Sequence, residues 1–272
     1  MSADSGIHLA DPNKIATAAP VSLFIPAYNA ARLLKRNNLG KSFDALKQMG
    51  ANFEIIIVDD NSSDKSYRFG RIINKAKFPT GKEIRYLSYK NGPSRRENLA
   101  RSFVQAKYDI IGFIDADFSC DISFFLKAVD LLIKEQADVV VGSRYIKGAQ
   151  AKRQMVRKIL SYIYNGIIRA AFRSGVRDHQ CGLKVFRKET IIPILFNMGY
   201  DEKFIRGWFW DAELLIRVQR ANLKIIEMPV IWQYADQSTF NFRRELRCLK
   251  AMWALKKELD GIPPRANPLS SS

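Results

Sequence analysis

Four short strand patterns that alternate with helical patterns are the feature that most restricts the fold of this chain. The strand patterns cover 21–25, 54–58, 84–89 and 110–114, and the helical patterns cover 30–49, a stretch that ends at about 77, and 95–107. Three of the strand patterns, 21–25, 54–58 and 110–114, are short apolar runs of the kind that is typical of strands buried on both faces of a parallel sheet. The order βαβαβαβ therefore predicts an α/β fold.

Polar residues follow the strands of this predicted half, whose ends converge on one crevice in a Rossmann-like arrangement. Asp115 and Asp117 come directly after the run 110–114. Mg²⁺ or Mn²⁺ typically takes one or two protein carboxylates and fills its other positions with water and phosphate oxygens. The pair therefore indicates a divalent cation and a phosphate-bearing substrate, with a solvated strand end as the alternative.

The second half of the chain has a mixed pattern. Helical patterns cover 123–135, 154–172 and 210–221, and strand patterns cover 137–141, 182–186 and 224–232. Phe242, Leu246, Leu249 and Trp253 recur at helical spacing among basic residues. The predicted organisation is a flexible tail at 1–19, one domain at 20–240 with halves 20–121 and 122–240, a basic amphipathic helix at 241–260, and a tail at 261–272.

The net charge of +17 requires an anionic partner, such as nucleic acid, an acidic membrane surface or a phosphorylated substrate. The excess is local, because residues 139–177 include no acidic residue and many basic ones. These are interleaved with Ile and Leu more than with stacking aromatics, and no nucleic-acid motif occurs, which argues against a basic nucleic-acid-binding module. The partner is expected to be a phosphate or a membrane.

The cysteines and the hydropathy pattern restrict the compartment. Cys120, Cys181 and Cys248 are odd in number and lack metal-site spacing, so neither a disulfide framework nor a zinc site is expected. No run is long enough to span a membrane, and the N-terminus lacks a signal pattern. We expect a protein of a reducing compartment that is soluble or peripheral.

Six motifs occur along the chain in an order that resembles the inverting glycosyltransferases of family 2, which have the GT-A fold. They lie at 25–29, 58–64, 115–117, 142–145, 178–184 and 210–215. The chain is most similar to the polyprenyl-phosphate (dolichyl-phosphate) hexosyltransferases, and its last two motifs are similar to the glucosyltransferase branch. The resemblance covers about 21–240 and implies a nucleotide-binding half fused to a mixed acceptor half, followed here by the amphipathic helix.

The resemblance also implies how the donor binds. Tyr28 is expected to stack on the nucleotide base, between Pro26 and Asn29. Asp59 or Asp60 is expected to accept a hydrogen bond from the base. We assign that contact to Asp60 and expect Ser62 or Ser63 to cap the following helix.

The remaining donor-site residues implied by the resemblance surround the sugar and the metal. Asp115 is expected to face the ribose and the Mg²⁺ or Mn²⁺ ion, and Asp117 to ligate the ion directly. Mannosyl relatives carry a further Gln ligand where Ser119 stands here, so Ser119 and Asp121 are the candidates for that contact. Two further residues are expected to line the sugar site, Asp178 and Gln180, whereas His179 between them is expected to be structural.

Acceptor binding is implied for two arginines and one carboxylate. Arg144 and Arg157 match arginines that bind the acceptor phosphate in mannosyl relatives, and a guanidinium gives a phosphate two parallel hydrogen bonds. Asp211 is the candidate base for a hydroxyl acceptor. With a phosphate acceptor, which arrives already ionised, Asp211 would orient a substrate instead.

These expectations together predict a metal-dependent transferase. It would move a hexose from UDP-glucose or GDP-mannose to a polyprenyl phosphate. The protein itself is expected to be cytoplasmic and bound peripherally to the cytoplasmic face of a membrane. The alternative within the same fold is transfer to a sugar hydroxyl in glycan or polysaccharide synthesis. The basic helix at 241–260 is expected to lie in an anionic membrane interface or, alternatively, to pack on the globular body.

Overall fold

The computed structural model describes residues 19–34, 39–73, 75–151, 155–203, 206–233 and 242–261, and within 242–247 it describes the backbone only. The predicted tails at 1–19 and 261–272 lie almost entirely outside the described residues. The described elements form one seven-stranded sheet, one two-stranded sheet and the helices around them.

The first half of the chain forms the predicted alternation of strands and helices. Its strands, all parallel, are β1 Val21–Ala27, β2 Phe53–Asp60, β3 Lys82–Tyr89 and β4 Ile110–Ile114. The helices between them are α1 Ala31–Leu33, α2 Leu39–Gln48, α3 Tyr67–Ile73 and α4 Glu97–Ser102. A single 3-10 turn, Phe103–Gln105, follows α4, so the predicted helix at 95–107 is shorter than its pattern. The predicted α/β class is confirmed.

The second half extends the same sheet. Its elements are α5 Ile122–Lys134, β5 Val139–Ser143, β6 Gln150–Ala151, α6 Met155–Phe172, β7 Leu183–Arg187, α7 Lys188–Met198, α8 Trp210–Arg220, β8 Ile225–Pro229, β9 Ile231–Trp232 and α9 Phe242–Asp260. The strand order is β3-β2-β1-β4-β7-β5-β8, and β7 runs antiparallel to β4 and β5. The sheet therefore passes without interruption from one half to the other.

Two elements differ from the sequence pattern. The last strand, predicted at 224–232, is divided between sheets, because β8 pairs with β5 and β9 pairs with β6. Pro229 ends β8, and a proline cannot donate to a continuing ladder. The sequence interpretation missed α7, which contains Pro193 and has no side-chain cap at its start.

The core lies on both faces of the sheet, which explains the continuous apolar runs. In β2, Ile55 and Ile57 belong to a cluster that includes side chains of α2 and α5. Ile56 and Val58 belong to a second cluster with side chains of α4, α7 and α8. Successive residues of a strand point to opposite faces, so a strand between two helical layers has no polar face.

The C-terminal helix α9 packs on the globular body. Its residues Cys248, Leu255 and Leu259 are buried in a third cluster with Ile168 of α6 and Phe209 before α8. This is the second of the two arrangements predicted for the helix, and a role at a membrane stays a prediction. Among the helices described by the structure, none combines the length and the apolar character that crossing a membrane requires.

Cys120 and Cys181 are free and buried, and Cys248 is buried in α9. Burial raises the pKa of the Cys181 thiol to about 12, so this group stays protonated and unreactive at neutral pH.

Candidate functional site

The ends of β1 and β2 are tied together by Asn29. Its backbone N–H donates to Ser62 Oγ at 2.9 Å, and its Oδ1 accepts from the backbone N–H groups of Ser63 and Asp64 at 2.9 and 3.1 Å. Asn29 adopts a left-handed φ of 50°, which Asn tolerates better than most residues. Since α3 begins only at Tyr67, the helix-capping role predicted for Ser62 or Ser63 is wrong. These serines join two loops instead.

Tyr28 lies beside this junction with 48% of its surface exposed, as a stacking surface requires. Pro26 lies two residues before Tyr28. At this position β1 still pairs with β2, but its pairing with β4 has already ended at Phe24. A proline is tolerated there because the ladder on one side has stopped. Base stacking on Tyr28 stays a prediction.

The two carboxylates that end β2 have different environments. Asp60 accepts from the backbone N–H and hydroxyl of Ser94 at 2.7 Å each, from the Arg95 N–H at 3.0 Å and from Asn98 Nδ2 at 2.6 Å. Asp59 accepts two longer bonds, from Ser62 N–H at 3.3 Å and Ser88 Oγ at 3.2 Å. Asp60 therefore anchors the turn before α4, and base recognition by either carboxylate stays a prediction.

Asp115 lies in a space that only glycine leaves open. Its backbone N–H donates to Gly182 O at 3.0 Å, just before antiparallel β7. A Cβ on Gly182 would lie 1.9 Å from Asp115 Oδ2, which is an impossible contact. The close approach of these two chains explains the glycine of the fifth motif.

A chain of ion pairs links Asp115, which is partly exposed, to buried Asp211. Arg96 Nη2 lies 2.8 Å from Asp115 Oδ1, and Arg96 Nε donates to Asp211 Oδ2 at 3.1 Å. Lys184 Nζ donates to Asp211 Oδ1 at 2.7 Å and to Cys181 O at 2.8 Å. Burial alone would raise the pKa of Asp211, but the two cations outweigh it and lower that pKa.

The sequence interpretation missed Arg96 and gave Lys184 no role. A signal for Lys184 was present, because it is the one charged residue inside the apolar pattern of 182–186 and is now fully buried in β7. Arg96 had no comparable signal. It lies in a polar turn, and its partner Asp211 is 115 residues away along the chain.

Asp117 and Ser119 form the turn after Asp115. Asp117 Oδ1 accepts from the Ser119 backbone N–H at 2.9 Å. Burial, and then the charge of Asp115, raise the pKa of the Asp117 carboxyl. A cation between the two carboxylates would reverse this unfavourable effect.

The donor set fits a hard divalent cation. Within the part of the chain that the structure describes, no third His, Cys, Asp or Glu completes a cluster with these carboxylates. Asp121, one of the two residues considered for a further contact, accepts from the Ser123 N–H at 2.8 Å and so caps α5. Two carboxylates with a phosphate-bearing substrate match the way Mg²⁺ is usually bound.

Arg144 and Asp178 form a second buried pair. Arg144 Nε donates to Asp178 Oδ2 at 2.6 Å and Nη2 donates to Oδ1 at 2.7 Å, with side-chain exposures of 2% and 0%. Burial would raise the pKa of Asp178, but the Arg144 guanidinium holds it below its usual range. Each residue satisfies the other, so phosphate binding by Arg144 and sugar binding by Asp178 stay predictions. Gln180 follows, half-buried, and Arg157 is half-buried in the first turn of α6.

His179 has the structural role predicted for it. Its ring nitrogens lie 2.8 Å from Asn165 Oδ1 and 2.9 Å from Ser174 Oγ, and the residue is fully buried. Burial lowers the pKa of the His179 imidazole to about 4.

This histidine should make stability depend on pH. Between pH 6.5 and about 4 the unfolded chain binds a proton that folded His179 excludes, so the free energy of unfolding falls as pH is lowered. The loss from this group between pH 7 and 5 is about 2 kcal/mol. Urea unfolding of wild type and His179→Gln at several pH values measures it as the difference between their slopes.

The titration of Glu97 does not disturb this comparison. Burial raises the pKa of Glu97 to about 7, so Glu97 titrates in the same range with the opposite sign, and it cancels in the difference because both proteins contain it. Equal slopes for wild type and His179→Gln would contradict the assignment.

Comparison with known proteins agrees with the fold and the motifs. The family model for glycosyl transferase family 2 matches residues 22–194. Glycosyltransferase AglD of Haloferax volcanii is 30% identical over 249 residues, which are 88% of this chain and 38% of that protein. The dolichyl-phosphate beta-glucosyltransferase of Saccharomyces cerevisiae is 29% identical over 80% of this chain and 68% of that protein. This chain thus spans well under half of one relative and about two thirds of the other.

Among solved structures, the UDP complex of glucosyl-3-phosphoglycerate synthase from Mycobacterium tuberculosis has a TM-score of 0.63 with 16% identity. The match covers 96% of this chain and 87% of that one. Another crystal structure of that synthase contains Mn²⁺, UDP and phosphoglyceric acid. The similarity concerns the fold, and the GT-A fold predicted from the motifs is confirmed.

Proposed function

The chain belongs to glycosyl transferase family 2, and from this we propose that it moves a hexose from UDP-glucose or GDP-mannose to a polyprenyl phosphate. A phosphate oxygen of the acceptor forms the new bond to the anomeric carbon, and the bond from that carbon to the nucleotide diphosphate breaks with inversion. The relative named dolichyl-phosphate beta-glucosyltransferase supports glucose as the sugar and dolichyl phosphate as the acceptor.

The burial, contacts and lowered pKa of Asp211 are the observations that favour a phosphate acceptor over a hydroxyl acceptor. A hydroxyl acceptor needs a base within hydrogen-bond reach, with a pKa near the working pH. Asp211 is 3% exposed, bonds to two cations and has a lowered pKa, all of which make it a poor base. A phosphomonoester with a second pKa of about 6 brings its own anionic oxygen and needs positioning rather than deprotonation. Arg157 is the residue proposed to position it.

The donor is proposed to lie across the ends of β1, β2 and β4. Tyr28 would stack on the base, Asp59 or Asp60 would face its N–H groups, and Asp115 would face the ribose. Asp115 and Asp117 would hold a Mg²⁺ or Mn²⁺ ion, which supplies positive charge where the departing diphosphate becomes more negative. The protein's part is to hold both carboxylates at one sheet edge.

Transfer from labelled nucleotide sugars to lipid tests the proposal. UDP-glucose and GDP-mannose, each with a radiolabelled sugar, are incubated with the protein, Mn²⁺ or Mg²⁺, and dolichyl phosphate in detergent. We expect one donor to give label in the organic extract, and none with dolichol, which lacks the phosphate. Asp211→Asn should retain measurable transfer. Label on a sugar hydroxyl, or nucleic-acid binding with a steep salt dependence and no lipid product, would contradict it.

Helix α6 supports a membrane as the place of reaction. Large apolar side chains 41–69% exposed follow one side of this helix, namely Met155, Val156, Ile159, Leu160, Tyr162, Ile163 and Ile167. Its other side is buried through Ile168 and Phe172. Lys158 and Arg169 are exposed on the same helix, within the acid-free stretch 139–177. An apolar helix face bordered by cations fits an anionic bilayer surface.

Acidic residues on this face should remove membrane binding. We expect the double variant Ile159→Asp/Ile163→Asp to float with phosphatidylserine-containing liposomes at least about tenfold less than wild type, because burying one such side chain is worth about 1.5–3 kcal/mol. Flotation in a density gradient measures the bound fraction. Ile72→Asp is the matched control, since Ile72 is 65% exposed on α3. Unchanged flotation of the double variant would show that α6 does not contact the bilayer.

A further inference from the structure

Arg96 joins two carboxylates of the candidate site that come from opposite halves of the chain. Its guanidinium contacts Asp115 at 2.8 Å through Nη2 and Asp211 at 3.1 Å through Nε. The same group lies over the ring of Phe113, with 4.6 Å from Cζ to the ring centroid, and Arg96 is 9% exposed. Lysine could not reproduce two contacts in this fixed geometry.

The backbone turn that carries Arg96 is itself held by Asp60, at the end of β2. Asp60 bonds to the Ser94 and Arg95 N–H groups and to Asn98, which fixes the turn on both sides of Arg96. Gly92 permits the close approach, because a Cβ there would lie 2.2 Å from Asp60 O. The position of the guanidinium is therefore determined before any substrate binds.

The two carboxylates that contact Arg96 do not depend on its positive charge equally. Asp211 has a second cation in fully buried Lys184, 2.7 Å away, so it is neutralised without Arg96. Asp115 is 30% exposed at its side chain and contacts Arg96. The positive charge of Arg96 thus acts mainly on Asp115 and Asp117, and leaves this pair with one net negative charge instead of two.

We propose that Arg96 is a positioning residue that holds Asp115 in place and keeps the carboxylate pair too weakly negative to bind a divalent cation tightly by itself. The diphosphate of the donor supplies the missing negative charge, so cation and nucleotide bind together. This inference rests on the proposed function, because it requires a nucleotide diphosphate donor. The coupling is reciprocal: each of the two ligands raises the affinity for the other by the same factor.

Calorimetry with Mn²⁺, UDP and GDP tests this without turnover. For wild type we expect weak binding of Mn²⁺ alone and a gain of at least about tenfold when the preferred nucleotide is present. Arg96→Gln should bind Mn²⁺ alone about tenfold more tightly, with a smaller gain from nucleotide, since a nearby positive charge is removed. Arg96→Lys retains the charge and should keep the weak binding of Mn²⁺ alone.

The controls separate this role from a purely structural one. Arg96→Gln is expected to fold, because Asp211 keeps Lys184, and loss of folding alone would leave affinity for Mn²⁺ no tighter. Arg101 lies in α4 and pairs with Glu202. Arg101→Gln also removes one positive charge, and it should change neither the affinity for Mn²⁺ alone nor the affinity in the presence of nucleotide.

Three outcomes decide the matter. Unchanged or weaker Mn²⁺ binding by folded Arg96→Gln would overturn the inference. So would wild-type protein that binds Mn²⁺ equally well with and without nucleotide, a result that needs no variant. If wild type binds neither nucleotide in the presence of Mn²⁺, the proposed function itself fails, and this inference fails with it.

Discussion

Asp117→Asn is expected to lower metal-dependent transfer by about 10²- to 10³-fold, the usual cost of removing one group that stabilises charge in a transition state, while the protein stays folded. The substitution removes one ligand charge and keeps the shape of the side chain. Because burial and Asp115 already raise the pKa of the Asp117 carboxyl, loss of that charge should not destabilise the fold. Turnover measured against Mn²⁺ concentration, together with thermal unfolding, checks both statements.

Asp121→Asn is the matched control for Asp117→Asn. Asp121 lies four residues later and caps α5 through the Ser123 N–H. Asn is also a good capping residue, so we expect a stability change well within the range of about 0.5–2 kcal/mol that loss of a cap costs, and an unchanged metal titration. Turnover of Asp117→Asn equal to wild type, with the same Mn²⁺ dependence, would rule out Asp117 as a ligand.

Arg144→Met is expected to lower the free energy of unfolding by about 3–5 kcal/mol, because it leaves the carboxylate of Asp178 buried and without its partner. Arg144→Lys should also be costly, since lysine cannot make the two parallel bonds to Asp178. Urea unfolding measures both. The double variant Arg144→Met/Asp178→Leu should recover most of the loss, as replacing a whole buried pair by apolar residues usually does.

Arg157→Ala tests phosphate binding at the start of α6. Arg157 is half-buried there, and we expect this variant to raise the apparent Michaelis constant for lipid phosphate. Kinetics with dolichyl phosphate at several concentrations measure it. If Arg144→Met were stable within about 1 kcal/mol and instead raised the same constant, Arg144 would be bound to phosphate rather than to Asp178 during the reaction.

The sequence predicted those parts of the fold that depend on local pattern. The parallel strands up to β4 follow from apolar runs, and the convergence of Tyr28, Asp59 and Asp115 follows from the rule that parallel strand ends share an edge. The element α7 was missed because Pro193 is normally a helix breaker, although here the rest of the helix packs into the core. Tertiary packing outweighed a local preference.

Contacts between distant residues could not be predicted in this way. The sequence does not indicate that the carboxylate of Asp60 accepts hydrogen bonds from the turn before α4, or that Arg96 reaches Asp211. The resemblance assigned Asp178 to the sugar site and Arg144 to the acceptor phosphate, whereas their mutual pairing depends on the exact approach of two loops. Periodicity reports which side of an element is buried, and it does not report which polar groups meet there.

The position of β7 in the sheet has a consequence for folding during synthesis on the ribosome. Strand β4 is bordered by β1 on one side and, on the other, by β7, whose first residue is Leu183. Until the ribosome has made β7, the entirely apolar strand Ile110–Ile114 is an open sheet edge, which is a template for aggregation. We therefore expect residues 20–121 alone to be insoluble, because the two halves of the sheet fold as a single unit.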